Sequence, residues 1–121
     1  MRYCLAIVRD LNLPTIRELR AEHLPMLRAV LSTGKAVIEK VYGVAGDQLR
    51  VFFHYHPQFY HLHVHFTRSH VNPGCEAERA HLLTDVIQDL EADSEHYAKR
   101  SITVRLREKD ALYKALAEAA A

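Results

Sequence analysis

From Tyr60 to Phe66 the chain reads Tyr-His-Leu-His-Val-His-Phe. Along a β-strand, successive side chains point to opposite faces. As a strand, this segment therefore offers Tyr60, Leu62, Val64 and Phe66 as an apolar face that calls for a helix packed against it. His61, His63 and His65 project together from the other face, about 7 Å from one to the next. The preceding strand adds His54 from across a hairpin. Imidazoles gathered on one sheet face are costly unless they are hydrogen-bonded or face an anion. Each can donate to an anionic oxygen, and an unperturbed imidazole has its pKa near neutrality, so a bound polyphosphate would satisfy them. Zinc is the rival occupant, because His at i and i+2 of a strand can share one ion. That rival wants further ligands and carboxylate partners, and between Gln48 and Gly74 the sequence supplies no Asp, Glu or Cys. The expected metal content is none.

The rest of the chain supplies a sheet and helices to carry that strand. Arg2–Val8 reads as a strand, and Leu24–Val41 repeats Leu24, Leu27, Leu31, Ile38 and Val41 at helical spacing, with Pro25 suited to its first turn. Gly43 and Gly46-Asp47 mark the end of that helix. Gln48–Tyr55 and Phe59–Thr67 read as two strands joined through His56-Pro57-Gln58, an antiparallel hairpin. Asn72-Pro73-Gly74 is a loop. A second helix is expected from about Glu76 to Glu91, a strand over Ser101–Arg107, and a helical tail over Ala111–Ala121. The fold class is α+β, an antiparallel sheet with packed helices.

Length and charge narrow the function. A chain of 121 residues, 49% hydrophobic, makes one domain that needs no disulfide or metal to hold a core. Sixteen Lys+Arg against fifteen Asp+Glu leave no basic excess for gripping long nucleic acid. No apolar run is long enough to span a membrane and the N-terminus has no signal-peptide pattern, so neither membrane insertion nor secretion is expected. Cys4 and Cys75 have no metal-like spacing, which fits a reducing compartment.

His61-x-His63-x-His65-Phe66 resembles the motif of the histidine triad nucleotide hydrolases and transferases. The similarity extends further. His54-Tyr55-x-Pro57, Tyr60 through Thr67, Glu78-Arg79-Ala80-His81-Leu82-Leu83, Val86-Ile87-x-x-Leu90-Glu91 and the earlier Glu22-His23-Leu24-Pro25-x-Leu27 are similar to the C-terminal domain of the scavenger mRNA decapping enzymes. The resemblance runs from Tyr3 to about Leu116. It implies one histidine-triad domain over residues 1–121, without the N-terminal cap-binding domain of those enzymes. It implies a hydrolase without cofactor that cleaves the 5′-5′ triphosphate link of short capped mRNA remnants into methylguanosine monophosphate and a nucleoside diphosphate. By the same resemblance, His63 is the nucleophile, His61 orients it, and His65 and His54 contact phosphate oxygens. Gln58, Tyr60 and Arg68 complete the expected substrate contacts. A homodimer in the cytoplasm, and also in the nucleus, is implied.

The sequence departs from the family where relatives carry Ser-Tyr and this chain has Gln58-Phe59; Gln58 can donate through its amide, and Phe59 cannot hydrogen-bond. Chemistry is not expected of His23, His70, His81 or Cys75. Two other functions fit the same triad: a minimal histidine-triad hydrolase of dinucleoside polyphosphates or phosphoramidates, and a nucleotide-binding module without turnover.

Overall fold

In the computed structural model, which describes residues 3–68, 79–106, 108 and 110–120, four strands form one antiparallel sheet. They are β1 (Tyr3–Ile7), β2 (Leu49–His54), β3 (His63–Arg68) and β4 (Ala80–Leu82), in the spatial order β1-β3-β2-β4. Helix α1 (Leu24–Tyr42) and helix α2 (Leu83–Ala92) are joined by a short α3 (His96–Lys99) and a C-terminal α4 (Ala111–Ala120). Within the sheet, Leu5 and Phe52 flank His65, and Ile7 flanks His63. Pairing partners share a face, so Tyr3, Leu5, Ile7, Arg50, Phe52, His54 and Leu82 lie on the histidine side. Val51, Phe53, Val64 and Phe66 lie on the other side and join Leu27, Ile38, Val86 and Leu90 in the core. One face of the sheet is packed and the other holds the imidazoles.

Helix α1 begins with Pro25 in its first turn and stops at Gly43, which adopts φ 69° and donates its N–H to the Glu39 carbonyl at 2.9 Å. Its oddity is Gly34, in mid-helix, where glycine costs about 1 kcal/mol relative to alanine. The sheet explains it. A Cβ at Gly34 would overlap the ring of Phe66, reaching 2.7 Å from Cε2, and Phe66 is buried at 2% exposure. Gly34→Ala should therefore lower stability by roughly 1–2 kcal/mol, overpacking outweighing the gain in helix propensity. Thermal melts check this, and Phe66→Leu in the same chain should relieve the loss.

The β2–β3 hairpin is present, but residues 55–62 form its connection, longer than the three-residue link expected. The strand expected over Phe59–Thr67 starts only at His63. Leu62 instead bonds sideways, its N–H to the Leu13 carbonyl at 2.8 Å and its carbonyl to the Val8 N–H at 3.1 Å. Leu62, Val64 and Phe66 form the buried face as expected, whereas Tyr60 is 59% exposed in the connection. Residues 80–82, expected within the second helix, are β4, because the open edge of β2 offers ladder partners to Phe52, Phe53 and His54. The first residues expected of that helix, 76–78, lie outside the described residues, as do the Asn72-Pro73-Gly74 loop, His70 and Cys75. Over 101–106 no strand forms. Ile102, Val104 and Leu106 are half-buried and Ser101, Thr103 and Arg105 exposed, so the alternation records one-sided packing without a sheet partner among the described residues. Arg107 is outside the described residues.

Candidate active site

His63 opens β3 with its orientation already set. Its Nδ1 lies 2.7 Å from the backbone carbonyl of His61. A carbonyl only accepts, so Nδ1 carries a proton, and the neutral form of the ring is the tautomer with its lone pair on Nε2. His61 sits in the connection just before β3, not on the strand, and its Nε2 donates to the carbonyl of Val8. Together with the two backbone bonds of Leu62, that contact pins the carbonyl that His63 uses. The segment after β1 thus fixes the tautomer of a residue more than fifty positions away.

His65 is one pleat further along and enclosed. It is 5% exposed, with Phe52 stacked on it at 5.2 Å between centroids and nearly parallel, Tyr3 at 5.7 Å, His63 at 4.9 Å and His54 at 4.1 Å. Burial pushes its pKa down to about 3, helped by the neighbouring His54 and His63 and by Arg79. It is therefore a neutral imidazole at physiological pH. Among the described residues its Nε2 has no hydrogen-bond partner, and neither has Oγ1 of Thr67, which is buried two residues on along the same face. A buried polar nitrogen without a partner is uncommon in folded proteins and calls for an explanation.

The outer residues divide. Tyr60 and His56 are bonded to each other, phenol to Nε2, and Gln58 is exposed between them in the connection. Phe59 is 72% exposed. Arg68 is not brought to the cluster. It alternates with Thr67 onto the face of Val64 and Phe66, and stands five residues beyond His63, about 17 Å along the strand. The structure supplies Arg79 instead. Its carbonyl accepts the N–H of Tyr55 at 2.9 Å, and its positive charge depresses the pKa of both His56 and His65, in each case behind burial as the larger cause. Sequence reasoning passed over Arg79 because it placed the following residues in a helix; as the residue leading into a strand paired to His54, it would have been a candidate. His81 lies on β4 opposite Phe53, its pKa lowered by burial and by Arg100 and Arg17.

The chain is similar to known proteins over most of its length. Residues 1–81 match the family described as scavenger mRNA decapping enzyme C-term binding. Proteins named m7GpppX diphosphatase are 49% identical in Bos taurus and 48% in Homo sapiens, over 97% of this chain and 35% of the relative. The protein of the same name in Schizosaccharomyces pombe is 32% identical over 93% of this chain and 38% of its own length. The chain spans about a third of the length of these curated relatives. With a family match over two-thirds of its residues, the chain belongs to the scavenger mRNA decapping enzyme C-terminal family.

Proposed function

We propose that this chain carries the hydrolytic centre for the 5′-5′ triphosphate link of short capped mRNA remnants, with His63 as nucleophile. The observation that carries the reading is the bond from His63 Nδ1 to the His61 carbonyl, which in the neutral imidazole places the lone pair on Nε2, on the open sheet face. The relatives' name, m7GpppX diphosphatase, supplies the substrate class. Nε2 attacks the phosphorus next to the methylguanosine, forming an N–P bond as the P–O bond to the nucleoside diphosphate breaks. Water then cleaves the N–P bond, releasing methylguanosine monophosphate and restoring His63. His65 Nε2, lacking a partner, and His54 beside it are the groups assigned to the phosphate oxygens, where charge develops. Arg79 adds the local positive charge, in the role that the sequence had suggested for Arg68. Gln58 and Tyr60 reach the substrate only from the exposed connection.

Product analysis tests this reading. Cleavage of a capped dinucleotide to the two named products supports it; cleavage of generic dinucleoside polyphosphates alone, or binding without cleavage, replaces it with the lesser hydrolase or the binding module. Turnover should be unchanged by EDTA, because the nucleophile is an imidazole. Loss on chelation and recovery with zinc would point to a metallohydrolase. Substrate held mainly by its phosphates is poorly aligned, so the chain by itself should cleave about a hundredfold more slowly than a form extended upstream to the relatives' length. We further assign it a homodimer, to be read by sedimentation, and residence in the cytoplasm and nucleus, to be read by fractionation.

A further inference from the structure

We propose that Arg17 is a positioning residue for the phosphate-binding end of the site, acting through Tyr55 on His54 and His56. The inference rests on the hydrolytic reading above and extends it to a residue that touches neither substrate nor His63.

Arg17 stands on a single turn of 3-10 helix, Ile16–Glu18, whose backbone is tightly held. Thr15 Oγ1 accepts the Arg17 N–H at 3.0 Å and donates to the Glu18 carboxylate at 2.8 Å, and the same carboxylate accepts the Thr15 N–H. Ile16 and Leu19, on either side, are buried to 1% and 0% exposure. From this base the guanidinium bridges two distant stretches of chain, the α3 turn and the end of β2. Nη1 donates to the carbonyl of Tyr97 at 2.8 Å and to that of Arg100, which closes the end of α3. Nε donates to the hydroxyl of Tyr55 at 3.2 Å, and the guanidinium carbon lies 4.9 Å from the centre of the Tyr55 ring. Fixed, planar, multiple donors are what distinguish arginine from lysine at such a junction.

Tyr55 is the residue by which β2 leaves the sheet. His54 before it touches His65, and His56 after it touches Tyr60. The Tyr55 ring meets His56 edge-on at 6.3 Å, and its N–H is bonded to the carbonyl of Arg79. Where Tyr55 sits therefore determines where two histidines and the Arg79 backbone stand. The His63 tautomer is fixed separately, through Val8, His61 and Leu62. Removing the Arg17 link should thus disturb phosphate placement and leave the nucleophile's orientation alone.

Tyr55→Phe removes only the hydroxyl that Arg17 holds, and Arg17→Lys keeps the charge without the fork. The two variants are compared with wild type, and with Arg28→Ala, which breaks an exposed ion pair to Glu91 on the helices. The readouts are imidazole NMR resonances, pyrophosphate titration, the kcat and KM for a capped dinucleotide, and melting temperature. Both site variants should melt near wild type, shift the His54, His56 and His65 resonances, leave the His63 Nδ1–H signal in place, and weaken pyrophosphate binding about fivefold, with kcat down about tenfold. Arg28→Ala should change none of these. Unmoved His54, His56 and His65 resonances with unchanged pyrophosphate binding in Tyr55→Phe would overturn the proposal, as would full activity in Arg17→Lys. If wild type fails to cleave the cap, the resonance and pyrophosphate measurements still decide the role of Arg17, so the two readings fail separately.

Discussion

His63→Ala should fold like the parent and lose turnover by about 10⁴-fold or more, the scale on which removing a nucleophile acts when no other group can form the covalent intermediate. The fold should survive because His63 is half-buried at the start of β3 and packs on the open face, not in the core. His61→Ala should cost less. It removes the side-chain tie to Val8, but the His61 carbonyl that orders His63 is backbone and remains, still held by both backbone bonds of Leu62. Single-turnover cleavage of a capped dinucleotide, with circular dichroism to verify folding, checks both. Turnover of His63→Ala within about tenfold of the parent would remove His63 from the nucleophile's role, since a positioned general base alone contributes on the order of 10²–10⁴.

The second large effect is on stability and pH. His65 is held neutral down to about pH 3 in the folded chain, whereas an unfolded chain protonates it near 6.5. Between those values the unfolded state binds more protons, so the stability that this residue contributes is present above about pH 6.5 and is lost as pH falls, at up to about 1.4 kcal/mol per pH unit. Burial also holds His56 and His81 below their ordinary values, which acts in the same direction, so the informative quantity is a difference between two proteins. His65→Phe keeps a ring against Phe52 and removes the titration. Urea unfolding from pH 7 to pH 4 should show wild type losing stability more steeply than this variant. Parallel curves would show that His65 is not the neutral, desolvated imidazole described here. Bound pyrophosphate should flatten the wild-type curve, because an anion beside His65 favours its protonated form.

Much of this was legible in the sequence because it depends on periodicity. Leu62, Val64 and Phe66 alternate with His63 and His65, and a strand with one buried face leaves no other choice of face. Helix α1 was equally legible, since its apolar spacing, Pro25 and Gly43 all act locally. Residue type and alternation pointed to an anion facing the imidazoles, and the separate roles of His61, His63 and His65 came from the family resemblance. What failed were the judgements that needed a partner from elsewhere in the chain. Residues 80–82 suit a helix by propensity, and only the open edge of β2 makes them a strand. Residues 101–106 alternate like a strand, and no strand among the described residues pairs them. Arg68 lies close to the triad in sequence, but the pleat turns it to the wrong face, while Arg79 arrives through β4 pairing. The identity of the histidine face was thus encoded locally. The tautomer of His63, the burial that keeps His65 neutral and the fastening of Tyr55 by Arg17 are set by the Val8 carbonyl, the Phe52 ring and a guanidinium 38 residues away. A strand's own sequence fixes which way its side chains point, and only the segments packed around it fix their hydrogen bonds and their charge.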